Sequence, residues 1–310
     1  MVEKIARRPG DLQTASDAIW SAQDQADLAA AIEALEHTSF ATQLTGLVGR
    51  QIGLASQFIP DTILKTANAT AAKALSYAMR AALTTLAEGR RAASQRLHLA
   101  AIATSGALGG AFGLATLPFE LPVSTTLILR SIGEIARQEG EDLGQPETSL
   151  ACLEVFALSG GREAAHFGEG SYFATRALLA RSVTEAARYF INRGVIEESA
   201  PALLRLVSQI ASRFGVVVTQ KIVAQSVPVI GAVTGAAINA AFMDHYQRLA
   251  RGHFVVRRLE RTYGADAVRR AYEALRASRR DPEDAVGSQR RLDAGSAMSA
   301  PALKQESGER

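Results

Sequence analysis

The sequence predicts an all-α protein, a multi-helix bundle with two central apolar helices that are rich in glycine and alanine. Three observations support this fold class. Apolar residues recur with helical period in nearly every segment. Aromatic residues make up only 6% of a chain that is 47% hydrophobic, so alanine, leucine and glycine dominate and favour close helix packing. No stretch combines strict apolar–polar alternation with hairpin turns, which a half-buried sheet would show.

Proline, glycine and aspartate divide the chain into helices. Asp61, Pro146, Pro201 and Pro228 each stand where a helical pattern begins, and Gly264 precedes the last pattern. We expect N-terminal helices in residues 1–89 and the main helical domain in residues 90–278. Residues 279–310 are polar and rich in glycine, serine and proline, a composition typical of a disordered tail.

Two long runs contain no Asp, Glu, Lys or Arg, namely Leu97 to Phe119 and Ile222 to Met243. About 20 apolar residues are enough to cross the hydrocarbon core of a bilayer as a helix. Both runs nevertheless carry polar side chains and many small residues, which contribute little to membrane insertion. Two interpretations stay open: helices that enter a membrane, or a buried central hairpin in a soluble bundle.

Glycine spacing predicts that the two runs pack against each other. Glycines four residues apart present a small surface on one side of a helix and allow a close approach. The residues predicted for this interface are Gly106, Gly110, Gly231 and Gly235. Asn239 continues the stripe of the second run, so we expect its amide to be buried and bonded to a carbonyl or hydroxyl group of the first run.

Arginines cluster after the second run and predict contact with a membrane surface or an anionic lipid. The candidates are Arg248, Arg251, Arg257 and Arg258. The alternative is a solvated helix face laced with ion pairs, such as Asp244 with Arg248 four residues on. The formal net charge of the whole chain is only +3, which argues against a nucleic-acid partner.

Glu120 is the one charged residue between two apolar stretches and is a candidate functional or buried polar group. It stands between Pro118 and Pro122, and we expect it just ahead of a helix N-terminus, whose partial positive charge favours a carboxylate. If Glu120 is buried, either a cation from another helix pairs with it or its pKa rises. A proton-transfer or ligand site is the functional alternative.

Motifs for known chemistry are missing from the sequence. It contains no phosphate-binding loop, no nucleophile elbow and no zinc-protease motif, and we predict no cofactor and no metal. No catalytic residue is assigned, and whether the protein is an enzyme stays open. The single cysteine, Cys152, is expected to be a small buried hydrophobe. The N-terminus lacks an apolar signal region, so we expect a cytoplasmic protein.

Three stretches together resemble the EcsC family: "LPFELPVSTTLILRSIGEIARQEG", "GSYFATRALLA" and "VPVIGAVTGAAINAAFMDHYQRLARGHFVVRRL". The resemblance runs from about Arg90 to Leu275, with a glutamate at Glu120 where the family is expected to have an aspartate. It implies a helical fold. It also implies a link to membranes, because the family takes its name from a gene beside an ABC transporter.

The resemblance brings no catalytic residues with it. Together with the two uncharged runs and the basic residues beside them, the membrane link predicts a cytoplasmic accessory or regulatory protein, peripheral to the inner membrane or shallowly inserted in it, with a membrane transport protein as a candidate partner. A helical enzyme of the hydrolase type and a carrier of an apolar ligand such as a lipid remain as alternatives.

Overall fold

The structure is a computed structural model, and it describes residues 20–37, 39–48, 61–86, 117–159, 172–193, 200–225 and 232–278. Throughout these residues the secondary structure is helical, without a strand, which confirms the predicted fold class. The α-helices in this part of the chain are α1 (Ala22–Ile32), α2 (Phe40–Val48), α3 (Asp61–Ala81), α4 (Leu117–Gln138), α5 (Pro146–Glu154), α6 (Tyr172–Arg193), α7 (Pro201–Gln225), α8 (Ala232–Tyr263) and α9 (Ala265–Ser278). Short π-helical turns extend α1 and α3, and a 3-10 turn extends α5.

Local chemistry accounts for where several helices begin and end. The Ser21 hydroxyl accepts a hydrogen bond from the Asp24 amide at 3.0 Å and so caps the start of α1. Pro146 opens α5, where its missing N–H leaves no bond unmade. Gly140 follows α4 with φ +80° and lets the Glu141 amide bond back to Ala136 at 2.9 Å, which stops that helix.

Helix α8 is the centre of the bundle. It packs against α1, α2, α4, α7 and α9, while α3 packs against α4 and α7, and α6 packs between α5 and α7. An aromatic cluster fills the middle of the core, with ring centroids 5.0 to 6.1 Å apart. Its members are Phe156, Phe214, Phe242 and Tyr246. Val216 to Val218 of α7 are helical despite their β-branched side chains, because Val217 and Val218 are buried in the core of the bundle.

Two glycines mark close approaches between helices. A Cβ at Gly252 on α8 would lie 2.8 Å from Leu35 and 3.0 Å from the Ala31 carbonyl oxygen. A Cβ at Gly215 on α7 would lie 1.9 Å from the Asn68 side chain of α3. Small residues therefore bring helices together here, although at positions that the spacing of the uncharged runs did not indicate.

The predicted glycine interface falls largely outside the described residues. Gly106, Gly110 and Gly231 lie there, as does the first uncharged run up to residue 116, so their pairing stays a prediction. Gly235 is described and is buried in the first turn of α8.

The second uncharged run belongs to two helices rather than to one. Helix α7 ends at Gln225 and α8 begins at Ala232, so the described residues of the run from Ile222 to Met243 belong to two helices. In the described residues one helix, α7, is long and apolar enough to span a membrane, with a mean hydropathy of 1.3 in its most apolar window. More than half of that window is buried, as in the core helix of a soluble protein, so the finding is weak support for a span.

The start of the described N-terminal region contacts the last turn of α8 through aromatic rings. Trp20 stacks on Tyr263 with centroids 4.4 Å apart and planes 7° from parallel. The Tyr263 hydroxyl donates a 2.7 Å hydrogen bond to Asp24. These contacts attach the start of α1 to the last turn of α8.

Candidate functional site

Glu120 lies in the first turn of α4 rather than ahead of a helix. The sequence prediction of its position is corrected because α4 begins at Leu117 and includes Pro118 and Pro122. Proline is compatible with the first turn of a helix, where the backbone N–H has no intrahelical partner, so Pro118 does not end the helical segment. The Glu120 side chain is buried.

Two donors from other helices bind the same oxygen of Glu120. The Lys221 ammonium of α7 lies 2.7 Å from Oε1, and the Asn239 amide of α8 donates to it at 2.8 Å. Lys221 and Asn239 are both fully buried. A cation from another helix, one of the two alternatives for a buried Glu120, is therefore present in the structure. Asn239 is buried as predicted, and its described partner is a carboxylate.

Lys221 lies in an apolar environment, which by itself favours the neutral amine over the ammonium form. Burial lowers the pKa of Lys221, while the charge and hydrogen bond of Glu120 act in the opposite direction. The ammonium also lies 4.8 Å from the centroid of the Phe242 ring, a cation–π distance. The cluster joins α4, α7 and α8 through one oxygen atom, and removing one partner would leave the other charge buried and uncompensated.

A separate cavity of about 430 Å³ lies among α5, α6, α8 and α9. Its apolar wall is formed by Ala151, Phe173, Ala177, Ala180 and Val183. Its charged lining is formed by Glu147, Glu154, Arg176, Arg257, Glu260, Asp266 and Arg269. Such a mixture of an apolar wall and a few polar groups is typical of small-molecule sites.

Each arginine of this cavity is bound to a carboxylate of the chain. Arg176 forms a two-point pair with Glu260, with N–O distances of 2.7 and 3.0 Å. Arg257 pairs in the same way with Glu141, at 2.9 and 3.0 Å. Arg269 donates to Glu273 at 2.9 Å, one turn along α9. Each of the three guanidinium groups therefore already has a carboxylate partner within the fold.

Glu154 is different, because its carboxyl group lines the cavity without a hydrogen-bond partner in the described part of the chain. The residue is only 5% exposed. Burial raises the pKa of Glu154 to about 7, although the charges of Arg176 and Arg257 act to lower it. A carboxyl group with this pKa changes its charge near neutral pH, which is a common property of functional sites.

Other reactive side chains are buried in the core. The Ser159 hydroxyl contacts His245 Nε2 at 2.7 Å, but no described residue bonds Nδ1, so the imidazole lacks the orienting carboxylate of a catalytic triad. Burial and Arg248 lower the pKa of His245 to about 3. Cys152 is fully buried as expected, and burial raises its pKa to about 12, which disfavours the nucleophilic thiolate.

The four arginines predicted to contact a membrane differ from one another in their ion pairing. Arg248 pairs with Asp244, as the alternative of ion pairs along the helix predicted. Arg257 pairs with Glu141, and Arg258 contacts Asp24, Asp27 and Glu139 at 2.5 to 2.9 Å. Arg251 is exposed. The lipid contact stays a prediction for all four, but Arg257 and Arg258 would have to leave carboxylate partners to make it.

Sequence reasoning missed Lys221 and Glu154. Lys221 is the single lysine of an apolar helix, four residues after Val217 and three after Val218, which are both buried. Helical spacing therefore placed it on the buried side of α7. Glu154 offered no such signal, because every residue of α5 from Thr148 onward is buried, so that periodicity does not separate its faces. Among the described residues, no group of three His, Cys, Asp or Glu is arranged to hold a metal ion.

Comparisons with known proteins place the chain in a family. No curated protein and no solved structure showed a significant match to the chain. The profile of the EcsC protein family matches residues 4–259. This range begins well before Arg90, where the resemblance was expected to start, and ends before Leu275. Because the match covers most of the chain, the protein belongs to the EcsC protein family.

Proposed function

We propose that this EcsC-family protein is a peripheral membrane protein that binds an anionic lipid surface through the outward side of α6 and α7. The observation that carries the proposal is a face that combines exposed apolar side chains with arginines. Leu178 and Ile191 of α6 and Leu204 of α7 are each more than half exposed. Exposed apolar groups beside arginines are typical of helices that lie in the membrane interface.

The charge of these two helices is strongly one-sided. Glu185 is their one acidic residue, and it binds Arg181 at 2.8 Å and Arg205 at 2.6 Å. Arg188 and Arg193 are exposed and have no carboxylate partner in the described residues. A basic surface of this kind is attracted to the anionic leaflet of a cytoplasmic membrane, by about 1 kcal/mol for each Lys or Arg near the surface.

The geometry of α7 supports a surface position rather than a membrane span. Its exposed residues form one narrow stripe with helical spacing, and the rest of the helix is packed against the bundle. The stripe consists of Pro201, Leu204, Arg205, Ser208, Ser212 and Val216. A spanning helix would have to withdraw Lys221 from Glu120 and place its charge in hydrocarbon.

Vesicle binding tests the proposal directly. Arg188→Gln/Arg193→Gln removes two positive charges from the proposed face without breaking a described ion pair. Lys73→Gln/Arg130→Gln is the matched control, because both of its basic residues are exposed on other helices. We expect the wild type and the control to co-sediment with phosphatidylglycerol vesicles and the first variant to bind several-fold more weakly.

The apolar part of the face is tested at high salt. Leu178→Ser/Ile191→Ser should reduce the binding that persists when salt screens the charges, because each removed side chain withdraws apolar area from the lipid. Equal loss of binding in the Arg188→Gln/Arg193→Gln variant and in its control would locate the contact elsewhere. Absence of wild-type binding to anionic vesicles would refute the proposal.

We further propose that the protein acts at the membrane as an accessory or regulatory partner of a membrane transport protein. Support comes from the EcsC family link, in which the naming gene lies beside an ABC transporter. Crosslinking in intact membranes, followed by identification of the captured proteins, tests this step. Recovery of a transport protein with the wild type but not with the Arg188→Gln/Arg193→Gln variant would support it, and capture of no transport protein would oppose it.

A further inference from the structure

The cavity among α5, α6, α8 and α9 is lined by more acidic than basic residues. Its three arginines already bind Glu260, Glu141 and Glu273, as described above. Three carboxylates of the lining remain without a basic partner in the described residues, namely Glu147, Glu154 and Asp266. The chain therefore supplies more negative than positive charge to this space, and the groups left for a ligand are acidic.

The positions of these carboxylates define an inner and an outer end. Glu154 is buried at the inner end, whereas Glu147 and Asp266 are exposed and lie at the mouth. Glu147, Ala151 and Glu154 follow one another at helical spacing on one side of α5. Glu147 and Glu154 are thus separated by two turns, about 10 Å along the helix axis.

Between the two ends, part of the cavity wall is apolar. Ala151, Ala177 and Ala180 have short side chains that leave room for a ligand, and Phe173 closes one side. Hydrocarbon groups lose less by entering such a space than charged groups do, so the body of the ligand should be aliphatic.

We propose that this cavity binds a linear aliphatic diamine, with one ammonium group held by the buried carboxylate of Glu154 and the other by Glu147 and Asp266 at the mouth. The Glu154 carboxylate is the primary binding group, since it is the most desolvated and has no hydrogen-bond partner within the described chain. The carboxylates at the mouth set the preference for a second ammonium group. An anionic ligand is disfavoured, because it would face three carboxylates and only guanidinium groups that are already paired.

The proposal predicts a specific dependence on pH. A cation binds the ionised form of Glu154, whose pKa in the empty site is about 7. Affinity should therefore be nearly constant between about pH 8 and pH 9, where the ligand keeps its ammonium groups, and fall as the pH decreases through 7, by roughly tenfold from pH 8 to pH 6. Binding at pH 7 should release a fraction of a proton, which calorimetry in buffers of different ionisation enthalpy detects.

Titration calorimetry with 1,5-diaminopentane tests the site on the intact chain. At pH 8 we expect saturable binding of one molecule, weaker binding of pentylamine, and no binding of pentanoate. Glu154→Gln, which preserves the shape of the side chain, should weaken diamine binding at least tenfold and remove its dependence on pH. Asp266→Asn should reduce the preference for the diamine over pentylamine and keep the pH dependence.

Glu134→Gln is the matched control, because this carboxylate lies on α4 outside the cavity and its loss should change affinity less than twofold. Undiminished binding to Glu154→Gln, binding that does not vary between pH 6 and pH 8, or preferential binding of pentanoate would each overturn the proposal. So would no binding of 1,5-diaminopentane at millimolar concentration. The pH titration of the wild type decides the question even if a variant fails to fold.

Discussion

Glu120 and Glu154 are both buried glutamates in helices of the same bundle, yet the fold treats them in different ways. Glu120 receives an ammonium group and an amide from two other helices within 2.8 Å. Glu154 receives no hydrogen bond from the described chain and lines an open cavity instead. The first arrangement uses a carboxylate to join helices. The second leaves a carboxyl group whose charge responds to the solution and to any ligand that enters.

The comparison distinguishes a carboxylate that is paired within the fold from a carboxyl group that is open to a proton or a ligand. A buried ion pair contributes little net stability, but losing one partner is expensive because the other charge stays desolvated. A buried carboxyl group with no partner avoids much of that cost by binding a proton, and this raises its pKa. Substitutions at the two sites should therefore change stability in opposite directions.

The largest effect is expected when Glu120 loses its cation. Lys221→Met keeps the length of the side chain and removes the charge, so it should lower the free energy of unfolding by about 3–5 kcal/mol at pH 7. Urea unfolding measures this change. The double variant Lys221→Met/Glu120→Gln should be more stable than the single variant, because no buried charge is left over. Lys73→Met, on the exposed side of α3, is the control, and a single-variant loss as small as the control's would contradict the structural role.

Glu154→Gln should stabilise the protein at alkaline pH. The folded pKa of about 7 lies above the ordinary value of 4.5, so folding favours the protonated form. The wild type therefore loses stability as the pH rises from about 4.5 through 7, by roughly 3 kcal/mol in total, and the loss is constant above that window. The glutamine variant has no such loss. Urea unfolding of both proteins should give similar stability near pH 4 and a more stable variant at pH 8; a difference that does not vary with pH would be inconsistent with a buried ionising group.

Asn239→Leu should have a smaller effect than Lys221→Met. It removes one neutral donor to Glu120 and leaves the ion pair in place, for an expected loss of about 1–2 kcal/mol. The same urea titration ranks the two variants. A loss equal to that of Lys221→Met would mean that the amide, rather than the ammonium group, holds the cluster together.

The smallest expected effect concerns the pKa of Glu154 itself. Arg176 contributes a charge that lowers this pKa, so Arg176→Gln should raise it further above about 7. A titration of the side-chain carboxyl followed by NMR measures the shift. Arg188→Gln, on the exposed side of the same helix, should leave it unchanged, and a downward shift in Arg176→Gln would reverse the assigned electrostatics.

Much of the fold was predictable because helical period and proline positions are local signals. The helices that begin at Asp61, Pro146 and Pro201 follow directly from them. The structure differs where a proline has two possible meanings: Pro118 and Pro122 predict a helix that begins after Glu120, and both prolines lie within α4. Uncharged composition was also ambiguous, because the end of α7 and the start of α8 share one run while belonging to different helices.

The candidate site was predictable only in part. A charged residue between apolar stretches identified Glu120, and its need for a cation followed from electrostatics. The identity of that cation depends on a contact between residues 101 positions apart, which no local pattern contains. The accessibility of Glu154 depends on the small side chains of α6 that face it, and thus on how three helices pack. The pairing of Glu120 with Lys221 and the accessibility of Glu154 both depend on tertiary packing, which the local sequence does not encode.

The stacking of Trp20 on Tyr263 gives the protein a built-in optical reporter. Trp20 is the only tryptophan in the sequence, so intrinsic fluorescence excited at the red edge comes from this one indole. Its emission should report whether the start of α1 is attached to the last turn of α8, and not the state of the distant aromatic cluster. If the N-terminal segment detaches before the bundle melts, fluorescence will change at a lower denaturant concentration than circular dichroism, and the two curves will separate a local opening from global unfolding.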